Sequence, residues 1–196
     1  TVPKGGDLAR AERFARQHID WLIERLQDRA DHVTFLPGEI VPLRGEDHVI
    51  VPTGKLRGLI TLGRNDAGLP ALFVPGAEDH IPRKVTTWLK EQARADLSAR
   101  TTLHAAAIGK KVAAISIRDT TSRWGSCASN GRLSFSWRLI LAPTEILDYV
   151  AAHEVAHLKE MNHSARFWRL CEQLAPQTPK ARVWLKQNGV RLHGYG

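Results

Sequence analysis

The sequence predicts an α+β fold with a small antiparallel sheet and a helical C-terminal third, on three observations. Short β-like runs separated by Pro/Gly turns fill residues 39–74, a long helical period starts at Asp79, and three more helical segments close the chain. A boundary near residue 78 divides an N-terminal helix plus small β region (1–78) from a larger unit (79–196).

Taken in order, Leu8 to Arg29 has helical spacing. Leu8, Ala11, Phe14, Ala15, His18, Ile19, Leu22, Ile23 and Leu26 share one stripe, and Asp7 can cap its start. Strands are expected at Glu39–Leu43, His48–Val51, Leu56–Leu62 and Leu69–Val74, joined by turns at Gly45–Asp47, Thr53-Gly54 and Asn65–Gly68, as an antiparallel meander. Asp79 to about Ala107 reads as one helix with Pro82 in its first turn and Ile81, Val85, Trp88, Leu89, Ala95, Leu97 and Leu103 on the buried side. Val112–Arg118 and Arg132–Trp137 read as strands, with Thr120–Gly131 as a loop between them. Pro143 opens a helix through His157; a second runs from His163 to Leu174, and a third from Pro179 to Asn188, stopped by Gly189.

Composition narrows the function classes. With 43% hydrophobic and 24% charged residues the chain is neither disordered nor fibrous. No apolar run approaches the roughly 18 residues of a membrane span, and no signal-peptide pattern is present. Thr1-Val2-Pro3 reads like the end of a strand, so the chain is taken as truncated at its start. Cys127 and Cys171 have no framework spacing, which points to a reducing cytoplasm. Charge is uneven: residues 1–100 carry 15 Lys/Arg against 14 Asp/Glu, and residues 101–196 carry 13 against 6. The basic half favours an anionic substrate or partner, such as a nucleotide, a nucleic acid or an acidic peptide, although no run of consecutive basic residues appears.

The same half holds His153-Glu154-Val155-Ala156-His157 within a helix. Residues four apart sit on one face, so the two imidazoles can meet one Zn2+ ion while Glu154 reaches a water as general base. His163 follows six residues later, the H-E-x-x-H-x5-H spacing of metzincin proteases, in which a turn brings back the third ligand. Where those proteins have Gly, this chain has Glu160, and Asn162 is the better candidate for a left-handed turn, with Asn162 or Ser164 capping the next helix. Arg123 is either an oxyanion- or phosphate-binding guanidinium or a buried partner of a carboxylate. Trp124 is a possible cleft wall, Trp137 and Trp168 are expected core anchors, and Cys127 or Glu172 could add a fourth ligand. His18, His32, His48, His80, His104 and His193 carry no such company.

Thr121-Ser122-Arg123-Trp124-Gly125-Ser126-Cys127, Ser136 to Pro143, Asp148-Tyr149-Val150, His153–His157, Asn162-His163-Ser164 and Phe167-Trp168 together resemble the YgjP-like metallopeptidase family, with Ser122 in place of its usual Thr. The resemblance is strong from Val112 to Gly189. It implies a zincin-like metalloprotease domain at 79–196, Zn2+ on His153, His157 and His163, and catalytic Glu154. It also implies kinship with WLM and SprT proteases, which cleave proteins crosslinked to DNA, whereas some bacterial relatives act as pyrophosphatases on UTP. Three functions therefore compete: a zinc metallopeptidase acting on a peptide or protein, a nucleoside triphosphate (UTP) pyrophosphatase, and a DNA-associated protease or binding module. The first is favoured, because the chain has no Walker A loop and no zinc-finger spacing, and three histidines beside a Glu make an open site.

Overall fold

The computed structural model describes residues 32–120 and 122–196, together with Asp7, Ala9 and Glu12. The expected helix from Leu8 to Arg29 lies outside them, apart from the Asp7 carboxylate accepting the Ala9 amide at 2.9 Å.

Four strands form the first sheet: β1 (Ile40–Leu43), β2 (Glu46–Pro52), β3 (Thr61–Arg64) and β4 (Pro70–Val74), in the order β1-β2-β4-β3. This corrects the expected meander, because β2 and β4 pair in parallel. The burial pattern explains it. Ile50, Ala71, Leu72 and Val74 are fully covered and take the centre, whereas all four residues of β3 are exposed and suit an edge. The β1–β2 hairpin turns at Arg44 and Gly45, both with positive φ, the geometry of a two-residue hairpin loop. A Cβ on Gly45 would lie 2.9 Å from the Cα of Pro143, so this turn needs glycine for close packing as well as for its dihedrals. The Arg44 guanidinium then reaches Asp96 and Gln92.

A 3-10 turn (Glu78–His80) leads into α1 (Ile81–Ala107), with Pro82 in the first turn. Its buried line steps by four through Ile81, Val85, Leu89, Ala93, Leu97 and Thr101, then His104 and Ala105. Ala95 and Leu103, expected on that side, are exposed. The buried polar groups are tolerated because each is satisfied: Thr101 Oγ1 donates to the Leu97 carbonyl at 2.7 Å, and His104 donates to Asp148.

The second sheet has β5 (Ala114–Arg118), β6 (Gly125–Cys127) and β7 (Arg132–Ser136), ordered β5-β7-β6. β6 lies inside the segment expected to be loop. Gly-Ser-Cys has no strand propensity to read, and only its antiparallel pairing with β7 makes it a strand. A buried 3-10 turn (Trp137–Leu141) follows, then α2 (Thr144–Ala156), α3 (Ala165–Leu174) and α4 (Thr178–His193). α4 does not stop at Gly189. There the missing Cβ lets the Trp124 indole sit against the helix, a built Cβ falling 3.3 Å from the ring, and His193 one turn on stacks on the same indole at 4.2 Å. Trp124 is thus packed on α4 and is not free to wall a cleft.

One buried carboxylate joins three of these helices. Asp148 on α2 accepts His104 Nε2 at 2.6 Å and Arg100 Nε at 2.9 Å from α1, and Gln177 Nε2 at 2.8 Å from the start of α4. Burial alone would raise its pKa, but the hydrogen bonds from His104 and Gln177 and the charges of His104 and Arg100 outweigh it and hold the carboxyl below the usual range. A depressed carboxyl stabilises the fold above the unfolded-state value near pH 4, and that contribution is lost as pH falls through the folded-state value. Asp148→Asn is therefore expected to cost about 3 kcal/mol at neutral pH and to flatten the loss of stability below pH 4, measured by urea unfolding at several pH values. Equal stability of the two proteins at pH 7 would remove the clamp.

Candidate metal centre

α2 is held on its apolar side by Ile146, Leu147, Val150, Ala151 and Val155, all buried. That packing turns His153 and His157 toward a half-open face, with His157 as the C-terminal cap of the helix. The amides of Leu158 and Lys159 bond back to Val155 and Ala156, and the chain then reverses. Among the described residues only Arg44 has positive φ outside glycine, so Asn162 does not make the left-handed turn expected of it. Ser164 is the cap of α3, its Oγ accepting the Phe167 amide at 3.4 Å.

The reversal brings His163 back over the helix. One ligand atom from each of His153, His157 and His163 lies within 4.8 Å of the others, and the Nε2 atoms of His153 and His163 are 3.2 Å apart. The far sides of two rings are already engaged. Tyr149 OH lies 3.4 Å from His153 Nδ1, and His157 Nδ1 donates to the Glu160 carbonyl at 3.1 Å. Such contacts orient imidazoles and leave Nε2 pointing inward. The Glu160 backbone thus has a role at the position where a metzincin has Gly. Phe167, fully buried, touches all three rings with centroids 4.4–4.9 Å away.

The electrostatics suit a cation. Burial, then the charges of His157, His163 and Arg182, push His153 down to about 4. Burial also lowers His157 against the opposing Glu160 hydrogen bond. Both rings are therefore neutral at pH 7, the form that can donate a lone pair. Three convergent imidazole nitrogens fit Zn2+ in an open site better than Mg2+ or Ca2+, which take oxygen ligands.

Glu154 is 5% exposed and forms no ion pair among the described residues. Burial raises its carboxyl to about 7, against a smaller lowering effect of Arg123. It lies beneath β6, where a Cβ on Gly125 would stand 2.5 Å from Glu154 Oε1. Arg123 is exposed and has no carboxylate partner among the described residues, which excludes the buried-partner alternative. Cys127 is not part of the ligand cluster: its Sγ faces the Ala128 carbonyl, and burial together with Glu154 pushes its thiol up. Glu172 is exposed and outside the cluster. Trp137 is a core anchor, but Trp168 is only half-buried. It stacks on His163 and carries the Arg182 guanidinium at 4.1 Å on its ring, and so belongs to the wall of the centre.

Sequence reasoning missed Tyr149, Phe167 and Arg182 as neighbours of the centre. Tyr149 was legible, because it lies four residues before His153 on the same helix face. Gly125 and Arg182 reach the centre only through tertiary packing. Gly125→Ala is expected to leave the three histidines in place but push the Glu154 side chain aside by about 1 Å, lowering metal-dependent hydrolysis about 100-fold. A variant with wild-type turnover would show that the close approach is dispensable.

The YgjP-like, metallopeptidase domain family matches residues 1–188. A UTP pyrophosphatase of Escherichia coli (strain K12) is 40% identical over 50 residues, 24% of this chain and 30% of that protein, so the chain spans under a third of that relative's length. The metallopeptidase zymogen of Pyrococcus abyssi abylysin aligns in structure with a TM-score of 0.41 at 21% identity, covering 46% of this chain and 93% of that one. Among the described residues no helix is long and apolar enough to cross a membrane. With the family match running over nearly its whole length, the chain belongs to the YgjP-like metallopeptidase domain family.

Proposed function

We propose that the chain is a zinc-dependent metallopeptidase with a zincin-like centre, in which His153, His157 and His163 hold the ion and Glu154 is the general base. The observation that carries this reading is the convergence of three imidazoles beside one buried carboxyl that forms no ion pair among the described residues. A zinc ion held by these three histidines would supply Lewis acidity to a substrate carbonyl and to the attacking water. Glu154 receives the proton of that water and returns it to the departing amine. Burial favours the neutral form of this carboxyl, and a cation beside it would favour the ionised form that accepts a proton. Tyr149 and the Glu160 carbonyl keep His153 and His157 in register, and Phe167 keeps water from the backs of the rings. Arg123, close enough to influence Glu154, or a backbone amide of β6, stabilises the developing oxyanion. The unpaired Cys127 and Cys171 suit a cytoplasmic setting.

A second reading, a nucleoside triphosphate pyrophosphatase, is favoured by the 40% match to the Escherichia coli enzyme and by the basic C-terminal half. It uses the same ion and base, and predicts pyrophosphate release from UTP that chelation abolishes.

Glu154→Gln should keep one zinc per chain and lose about 10²–10⁴-fold in turnover on a peptide or nucleotide substrate, read by metal analysis beside rate assays. Turnover at the native rate in that variant would falsify the mechanism. His163→Ala should lose zinc, so an unchanged stoichiometry would remove it from the ligand set.

A further inference from the structure

The outer face of the second sheet carries, besides the Arg123 considered above for the oxyanion, chemistry that the proposed reaction does not use. Register sets Ser116, Ser134 and Ser126 side by side across β5, β7 and β6, and pairs Arg118 with Ser136 one step along. Leu133 and Phe135 are buried in the core, so the residues alternating with them face the other way. Thr120 and Arg123 close one end: Ser136 Oγ donates to the Thr120 carbonyl at 3.2 Å, and Thr120 Oγ1 to the Arg123 carbonyl at 2.9 Å. The result is a cleft of about 270 Å³ lined by Arg118, Thr120, Arg123, Ser126, Ser134 and Ser136, with Gly125 and Phe135 completing it.

No carboxylate lines this cleft. The nearest in sequence, Asp119, is turned away and taken up by Lys90, Trp137 and Arg138. Neither Arg118 nor Arg123 forms an ion pair among the described residues. Two uncompensated guanidinium groups therefore stand over a floor of hydroxyl donors. A single carboxylate would neutralise one of them, whereas a tetrahedral dianion uses both and still has oxygens for the hydroxyls.

We propose that this cleft is a phosphate-binding subsite, in which Arg118 and Arg123 hold a phosphate dianion of the substrate and the Ser126 and Ser134 hydroxyls donate to its remaining oxygens. The subsite adjoins the metal centre through Gly125, which lines the cleft and also bounds the Glu154 carboxyl on its other side. Naming the ligand a substrate group rests on the hydrolase reading; the binding of phosphate does not.

The test is titration with inorganic phosphate, followed by calorimetry, on the zinc-loaded protein and on the same protein after EDTA treatment. Both forms should bind, with affinity falling about tenfold in Arg118→Gln and further in the Arg118→Gln/Arg123→Gln double variant, and with acetate binding weakly. Zinc content and thermal unfolding of each variant, measured in parallel, report the hydrolase centre and the fold separately; should the double variant unfold, the exposed Arg118→Gln alone carries the test. Binding that disappears with EDTA would assign the phosphate to the metal and overturn the subsite, as would undiminished binding in Arg118→Gln. Competition by a nucleoside triphosphate against a phosphoserine peptide then identifies the source of the phosphate, whichever displaces it at lower concentration.

Discussion

The position of the histidine-bearing helix depends on one buried carboxylate. Asp148 lies on the same helix as His153, and its two oxygens accept from α1 and from the residue preceding α4. Hydrogen bonds to a buried, ionised group are directional and cannot be exchanged for water, so they fix rotation and axial position where apolar packing would allow sliding. The β1–β2 hairpin adds a second constraint, because Gly45 packs directly against Pro143 at the entry to the helix. The first sheet, although distant in sequence from the histidines, thus helps to set where their helix begins.

On this support the centre is built by close approach. Gly125 brings the β6 backbone onto the Glu154 side chain, and burial there raises its pKa against the smaller lowering effect of Arg123. Gly189 brings α4 onto Trp124, the residue before Gly125, and so backs the same strand. The two glycines contribute by what they lack. Either with a side chain would separate elements whose contact gives the carboxyl its environment.

The excess of positive charge in residues 101–196 acquires a place in the structure. Within it Arg138 is used internally, bound to Asp119, which Lys90 of the preceding half also reaches. Arg118 and Arg123 form no ion pair among the described residues and line a hydroxyl-bearing cleft, and Arg182 lies on Trp168 near the histidines. Net charge alone could not separate these uses, because ion pairing is decided by which side chains meet.

Local spacing was enough to read the long helix, the helical C-terminal third, and the shared face of His153 and His157, because a four-residue step on a helix fixes which side chains share a face. Tertiary structure decided what no local pattern carries. The parallel pairing of β2 with β4 follows from which strands must be covered, and β6 exists only through its partner β7. Leu103 gave way to His104 because Asp148 waits opposite, and α4 continues through Gly189, where the missing Cβ admits the Trp124 indole. The ligand-type residues are thus a property of the sequence. The desolvation that tunes Glu154, the partners that orient the imidazoles, and the cleft beside them arise from contacts between segments far apart in the chain.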